Sequence, residues 1–181
     1  MTPTAAPIVV LGIGNTLLGD DAAGIRVLEA LGRLAGLDPS VLPPDTHLVD
    51  GGTVGLDLVR TVEGARAVLL LDAVNIDAAP GEVVVLEGDA ITTAGARRPG
   101  GPAGGLGELL ALARLMDWLS GPVALVGVQV GRVAFAPGLT PAVEAAVPVA
   151  VETARRALLD LDATAARAAH PSSRRLMETT R

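Results

Sequence analysis

Between Ile8 and Leu31 the chain reads IVVLGIGNTLLGDDAAGIRVLEAL, and this stretch restricts the possible folds more than any other. The apolar run Ile8–Leu11 is too short for a helix and stops at Gly12-Ile13-Gly14-Asn15, the pattern of a buried strand that ends in a turn. From about Asp21 to Ala35, Ile25, Leu28, Leu31 and Leu34 recur at helical spacing. Asp20 and Asp21 lie between the strand and this helix, where a cap and a first-turn acid belong. A strand, a glycine turn and an amphipathic helix in this order open an α/β sheet. They also deliver two adjacent carboxylates to the carboxyl edge of the strands, where such sheets place their chemistry.

The pattern continues along the chain. Leu37–Asp45 holds Pro39, Pro43 and Pro44 and reads as a loop. His47–Asp50 is a second short strand, ended by Gly51-Gly52, after which Thr53 caps a brief helix over about 54–60. Ala65–Leu71 is unbroken apolar sequence, expected as a central strand buried on both faces, and it ends in Asp72. Ala78-Ala79-Pro80-Gly81 turns the chain back into a strand at Glu82–Leu86. That connection is too short for a helical crossover, so this strand is expected to be antiparallel and at an edge. Ala94–Gly107 is rich in Gly, Arg and Pro and reads as an irregular loop of the functional or mobile kind. A helix at Gly107–Leu119 and a strand at Val123–Val130 follow. Thr140 caps, and Pro141 starts, a final helix running to about Ala168. The expected architecture is a three-layer α/β fold. It has a mostly parallel twisted sheet of about five strands, helices on both faces and one antiparallel edge strand. Residues 1–168 form a single domain, and 169–181 are a polar C-terminal tail.

Composition removes several classes of function. The formal charge of -6 disfavours nonspecific nucleic-acid binding, which needs a basic surface. All 14 basic residues are arginine, so a phosphate loop with its lysine is absent. Without cysteine there are no disulfides, thiolate nucleophiles or zinc–sulfur sites. No apolar run is long enough to span a bilayer and no leader pattern opens the chain, so a cytoplasmic protein without a membrane partner is expected. Trp118 and Phe135 are the only aromatic residues among Phe, Trp and Tyr, which leaves the core to Val, Leu, Ile and Ala. Gly12-x-Gly14 invites a dinucleotide reading, but the third glycine of that fingerprint would fall on Leu17. Asp20 and Asp21 would moreover set negative charge where pyrophosphate must bind. The two histidines, His47 and His170, stand at the amino end of a strand and in the tail, away from the edge where the acids gather.

Three acids remain at that edge: Asp21 after the first strand, Asp50 at the end of the second and Asp72 at the end of the third. If the third strand lies beside the first, Asp21 and Asp72 border one crevice, where a cation or a shared proton would relieve their repulsion. Each acid also has a plain structural use. One of Asp20 and Asp21 can cap the helix, and Asp50 can bond the amides of its own Asp50-Gly51-Gly52 turn. Asp72 is the most suggestive, because a carboxylate at the end of an apolar strand needs a partner. Gly24 can serve simply to let the first helix approach the sheet.

LGIGNTLLGDDAAGIRVLEAL (Leu11–Leu31) resembles the opening block of the maturation endopeptidases of nickel–iron hydrogenases. VDGGTVGLDLV (Val49–Val59), LLLDAV (Leu69–Val74) with APGEV (Ala79–Val83), LVGVQV (Leu125–Val130) and GLTPAVEAAV (Gly138–Val147) are similar to its later blocks, in order. The resemblance implies an endopeptidase that removes the C-terminal extension of a nickel–iron hydrogenase large-subunit precursor after nickel insertion. It also implies that the family's acid metal ligands fall on Asp21 and Asp72, which serve as both catalytic and metal residues, with Asp50 and Gly51 as substrate contacts. The family's third ligand, a histidine, has no counterpart: its place falls near Pro102, and Glu108, the closest acid, reads as a first-turn acid of the next helix. Two carboxylates alone hold nickel poorly, so the ion is expected to arrive on substrate cysteines, with Asp21 and Asp72 completing its shell. A metal-free acid-type protease of the same fold, and a noncatalytic protein that binds the hydrogenase precursor, remain as alternatives.

Overall fold

The computed structural model describes residues 6–53, 56–96 and 105–169. In chain order the strands are β1 (Ile8–Gly12), β2 (Thr46–Asp50), β3 (Ala67–Val74), β4 (Val83–Glu87) and β5 (Val123–Gln129), and the helices are α1 (Ala23–Leu37), α2 (Asp89–Ala96), α3 (Gly105–Leu115) and α4 (Pro141–Ala169). The five strands form one sheet in the order β2-β1-β3-β5-β4, with β4 antiparallel to β5 and the other neighbours parallel.

All of β3 is buried, and its alternating side chains serve the two faces. Ala67, Leu69, Leu71 and Ala73 pack under α1 and α4, with Leu31 and Leu158 fully enclosed. Val68, Leu70 and Val74 pack under α2, α3 and a 3-10 helix at Leu56–Val62. The helices therefore cover both faces, and the core between them is aliphatic, as the scarcity of aromatics requires. Among the described residues, no helix is long and apolar enough to cross a membrane.

Several local expectations are corrected. The third strand does not stop at Leu71: β5 extends past β1, pairing Asp72 with Gly127 and Val74 with Gln129, while β1 ends with Gly12 opposite Leu71. Asp72 therefore lies inside a strand and not at its end. The first helix starts at Ala23, after a 3-10 turn at Gly19–Ala22, and no side chain caps either element. The edge strand is antiparallel as expected, but its partner is the later β5 and not the preceding β3. The brief helix expected at 54–60 is the 3-10 helix Leu56–Val62, and residues 54–55 lie outside the described residues.

The segment Ala94–Gly107 is not irregular throughout, because α2 runs to Ala96 and α3 begins at Gly105; its middle, 97–104, lies outside the described residues. Helix α3 ends at Leu115, short of Leu119. Asp117 takes a left-handed conformation (φ 56°), Trp118 N–H donates to Ala113 C=O at 2.9 Å and Asp117 N–H donates to Arg114 C=O at 3.1 Å. That is the hydrogen-bond pattern of a left-handed helix stop. Helix α4 ends at Ala169, so the tail expected at 169–181 lies, beyond that residue, outside the described residues.

Candidate active site

The chain leaves β1 for β2 on one side and later returns to β3 on the other side of β1. The order of the strands thus reverses between β1 and β3, and open α/β sheets bind ligands in the crevice outside such a step. Asp21 and Asp72 both border it. Gly24, at the start of α1, lies against the sheet so closely that a Cβ would stand 2.2 Å from the Leu71 carbonyl oxygen and 2.3 Å from that of Ile13. Leu71 immediately precedes Asp72, and Asp21 is in the turn that leads to Gly24. A Cβ on Gly14 would likewise stand 2.2 Å from the carbonyl oxygen of Asp21. The glycines of Gly12-Ile13-Gly14 thus allow a tight seat for this turn, which accounts for them without a nucleotide.

Both carboxylates are buried, with 3 % of Asp21 and 2 % of Asp72 exposed. Asp21 Oδ2 accepts from the Asn15 backbone N–H at 2.9 Å, and Asp72 Oδ1 accepts from the N–H of Ala73 at 2.8 Å. Asn15 is held in turn: its Oδ1 accepts from Leu17 N–H at 3.0 Å.

Asp20 has a different task from its neighbour. It is fully buried, and its Oδ2 accepts from the backbone N–H groups of Gly131 and Arg132, both at 2.8 Å, and from the Thr140 hydroxyl at 2.9 Å. Its Oδ1 accepts from Thr140 N–H at 2.6 Å. Burial pushes this carboxyl upward, but the backbone donors of Thr140, Arg132 and Gly131, joined by the Thr140 hydroxyl, outweigh burial and hold it below the usual carboxylate range. Thr140 precedes α4 as expected, but its hydroxyl donates to Asp20. The loop after β5 is therefore fixed to the loop after β1. A bridge between Leu18 and Ala136 continues that seam.

Asp50 stands at the end of β2, exposed, with its Oδ1 accepting from Gly52 N–H at 2.9 Å. Gly51 lies against Leu11 and the Gly12 carbonyl. Together they form the β2 side of the crevice, in the turn geometry that the sequence allowed. Glu108 is exposed in the first turn of α3, and the position near Pro102 lies outside the described residues. His47 is exposed at the amino end of β2, away from the crevice; His170 is outside the described residues. Gln129, buried at the end of β5, was not singled out by the sequence. Its Oε1 accepts from Ile76 N–H at 2.8 Å, and its Nε2 donates to Asn75 Oδ1 at 3.3 Å, which ties down the loop that leaves β3.

Among the described residues, no group of three or more His, Cys, Asp or Glu side chains could hold a metal ion. The two aspartates offer oxygen donors only, a poor set for nickel, which is better suited by imidazole. They do not make a self-sufficient nickel site. They can accept protons from water and bear on a charge that a substrate brings.

Residues 25–157 match the family model described as hydrogenase maturation protease. The chain is 32% identical over 152 residues to the hydrogenase 2 maturation protease of Escherichia coli K12, covering 83% of this chain and 90% of that protein. It is 34% identical over 153 residues to the hydrogenase expression/formation protein HupD of Rhodobacter capsulatus, covering 83% of this chain and 70% of HupD. The fold is similar to that of the hydrogenase maturating endopeptidase HybD from E. coli, with a TM-score of 0.75 and 31% identity over 85% of this chain and 93% of that one.

Proposed function

The chain belongs to the hydrogenase maturation protease family, and from that premise we propose that it is the endopeptidase that removes the C-terminal extension of a nickel–iron hydrogenase large-subunit precursor once nickel is in place. The observation that carries this reading is that two buried aspartates, Asp21 in the turn after β1 and Asp72 within β3, both stand beside the β1–β3 step. Nickel enters as part of the substrate, held by precursor cysteines. Asp21 and Asp72 complete its surroundings in the complex, and the ion marks the precursor as ready. Asp50 and Gly51 border the bound chain from the β2 side. Leu17 and Phe135, 61% and 83% exposed on the two loops joined at Leu18 and Ala136, give the opposite rim an apolar contact for it.

In the reaction, the oxygen of a water bonds to the scissile carbonyl carbon while one carboxylate of the pair takes a water proton. The carbonyl oxygen becomes an oxyanion. As the C–N bond breaks, the proton passes to the departing amine, and the carboxylate is restored. Purified chain mixed with nickel-loaded and with nickel-free precursor tests the reading, with the products weighed by mass spectrometry. Cleavage of the loaded form alone is expected. Equal cleavage of both forms would transfer the assignment to a metal-independent acid protease, and binding without cleavage of either would remove the peptidase chemistry.

A further inference from the structure

In the step written above, the proton that one carboxylate takes is passed to the departing amine, so the acid pair leaves the oxyanion of peptide hydrolysis without a donor of its own. We propose that the side-chain amide of Asn15 supplies the missing donor, which makes it a third catalytic residue; this rests on the peptidase reading above.

The orientation of the amide is settled by its partner. Asn15 Oδ1 lies 3.0 Å from the backbone N–H of Leu17. An N–H must face an acceptor, so the oxygen is on that side and Nδ2 is on the other. Among the described residues, Nδ2 has no acceptor, and the other hydrogen bonds of Asn15 are both through its backbone: its N–H donates to Asp21 Oδ2 at 2.9 Å and its C=O accepts from Leu18 N–H. The NH2 group of this half-buried residue is thus held in one orientation by an Asx turn, and the residue's backbone N–H bonds a candidate catalytic carboxylate. The turn is anchored on both sides, by Gly14 N–H donating to Gly52 C=O at 2.8 Å and by Leu18 N–H donating to Asn15 C=O at 3.0 Å. A donor fixed before the substrate arrives, needing no reorganisation as charge develops, is what stabilises an oxyanion. In the step written above, the carbonyl oxygen gains its negative charge and accepts from Asn15 Nδ2–H until the C–N bond breaks and the carbonyl re-forms.

Asn15→Ser and Asn15→Asp both keep an oxygen able to accept from Leu17 N–H, and both lack the amide donor. Steady-state cleavage of nickel-loaded precursor is measured for each across pH, beside the wild-type chain and with melting temperatures. The inference expects kcat to fall about 10²–10³-fold in both variants. KM and melting temperature should stay near the wild-type values, and in Asn15→Ser, which adds no titrating group, the shape of the pH profile should be unchanged. Wild-type kcat in either variant overturns it. So does a fall confined to Asn15→Asp with a displaced pH profile, which would be an effect of the added charge, and so does a fall that follows loss of folding. A wild-type chain that leaves loaded precursor uncut overturns the peptidase reading and this inference together; cutting by wild type and by both variants alike overturns this inference alone.

Discussion

Asp20 and Asp21 are adjacent in sequence and opposite in use. The side chain of Asp21 stays with the crevice through Asn15, whereas that of Asp20 crosses to the loop after β5 and is saturated there. Replacing Asp20 with Asn puts an NH2 among groups that are themselves donors. Asp20→Asn is therefore expected to lose about 3 kcal/mol of stability at pH 7, read from urea unfolding. The sign of the pH dependence follows from the depressed carboxyl. Its stabilisation is complete above the unfolded value of about 4 and disappears as pH falls through the lower folded value. The gap between wild type and Asp20→Asn should therefore be widest near neutrality and narrow below about pH 4. The position of Asp21 and Asp72 beside β1 and β3 was legible in the sequence, since carboxylates that follow apolar runs stand out locally. The duty of Asp20 was not legible, because its partners are 111 to 120 residues away. Asn15 was quoted in its block and passed over, because an Asx turn shows its free amide only once the oxygen's partner is known.

At the level of elements, the seat of the Gly19–Ala22 turn and α1 on the strand ends fixes the geometry of the site. A methyl at Gly24 would overlap the carbonyl oxygens of Leu71 and Ile13, and that of Leu71 cannot move without breaking its hydrogen bond from Ile13 N–H. Gly24→Ala is expected to cost about 3 kcal/mol and to reduce cleavage even in the fraction that folds, measured by denaturant titration and by turnover per folded molecule. The sequence showed the strands and the long helices well, because unbroken apolar runs and helical periodicity carry their own signal. It did not show α2, whose eight residues bury only Ile91 and Ala94 among the side chains described. Nor did it give the true end of β3, since a strand extends wherever a neighbour supplies a ladder, and that neighbour, β5, comes about fifty residues later in the chain.

Across the whole molecule, the sheet order brings residues of separate strands and turns to one crevice. β1 is flanked by β2 and β3, so acids far apart in the chain reach one crevice. Site and core should separate experimentally. Leu158 is fully buried between α4 and the sheet. Leu158→Ala is expected to lower stability by about 3 kcal/mol while leaving kcat of the folded enzyme within about twofold, by unfolding and cleavage assays on the same preparation. The most direct test of the crevice itself is the mass of nickel-loaded large-subunit precursor after incubation with wild-type chain and with Asp72→Asn. The account expects the shortened subunit and its released peptide from wild type, and a rate about 10²–10⁴-fold lower from Asp72→Asn in a folded protein. Processing by Asp72→Asn at the wild-type rate would contradict it.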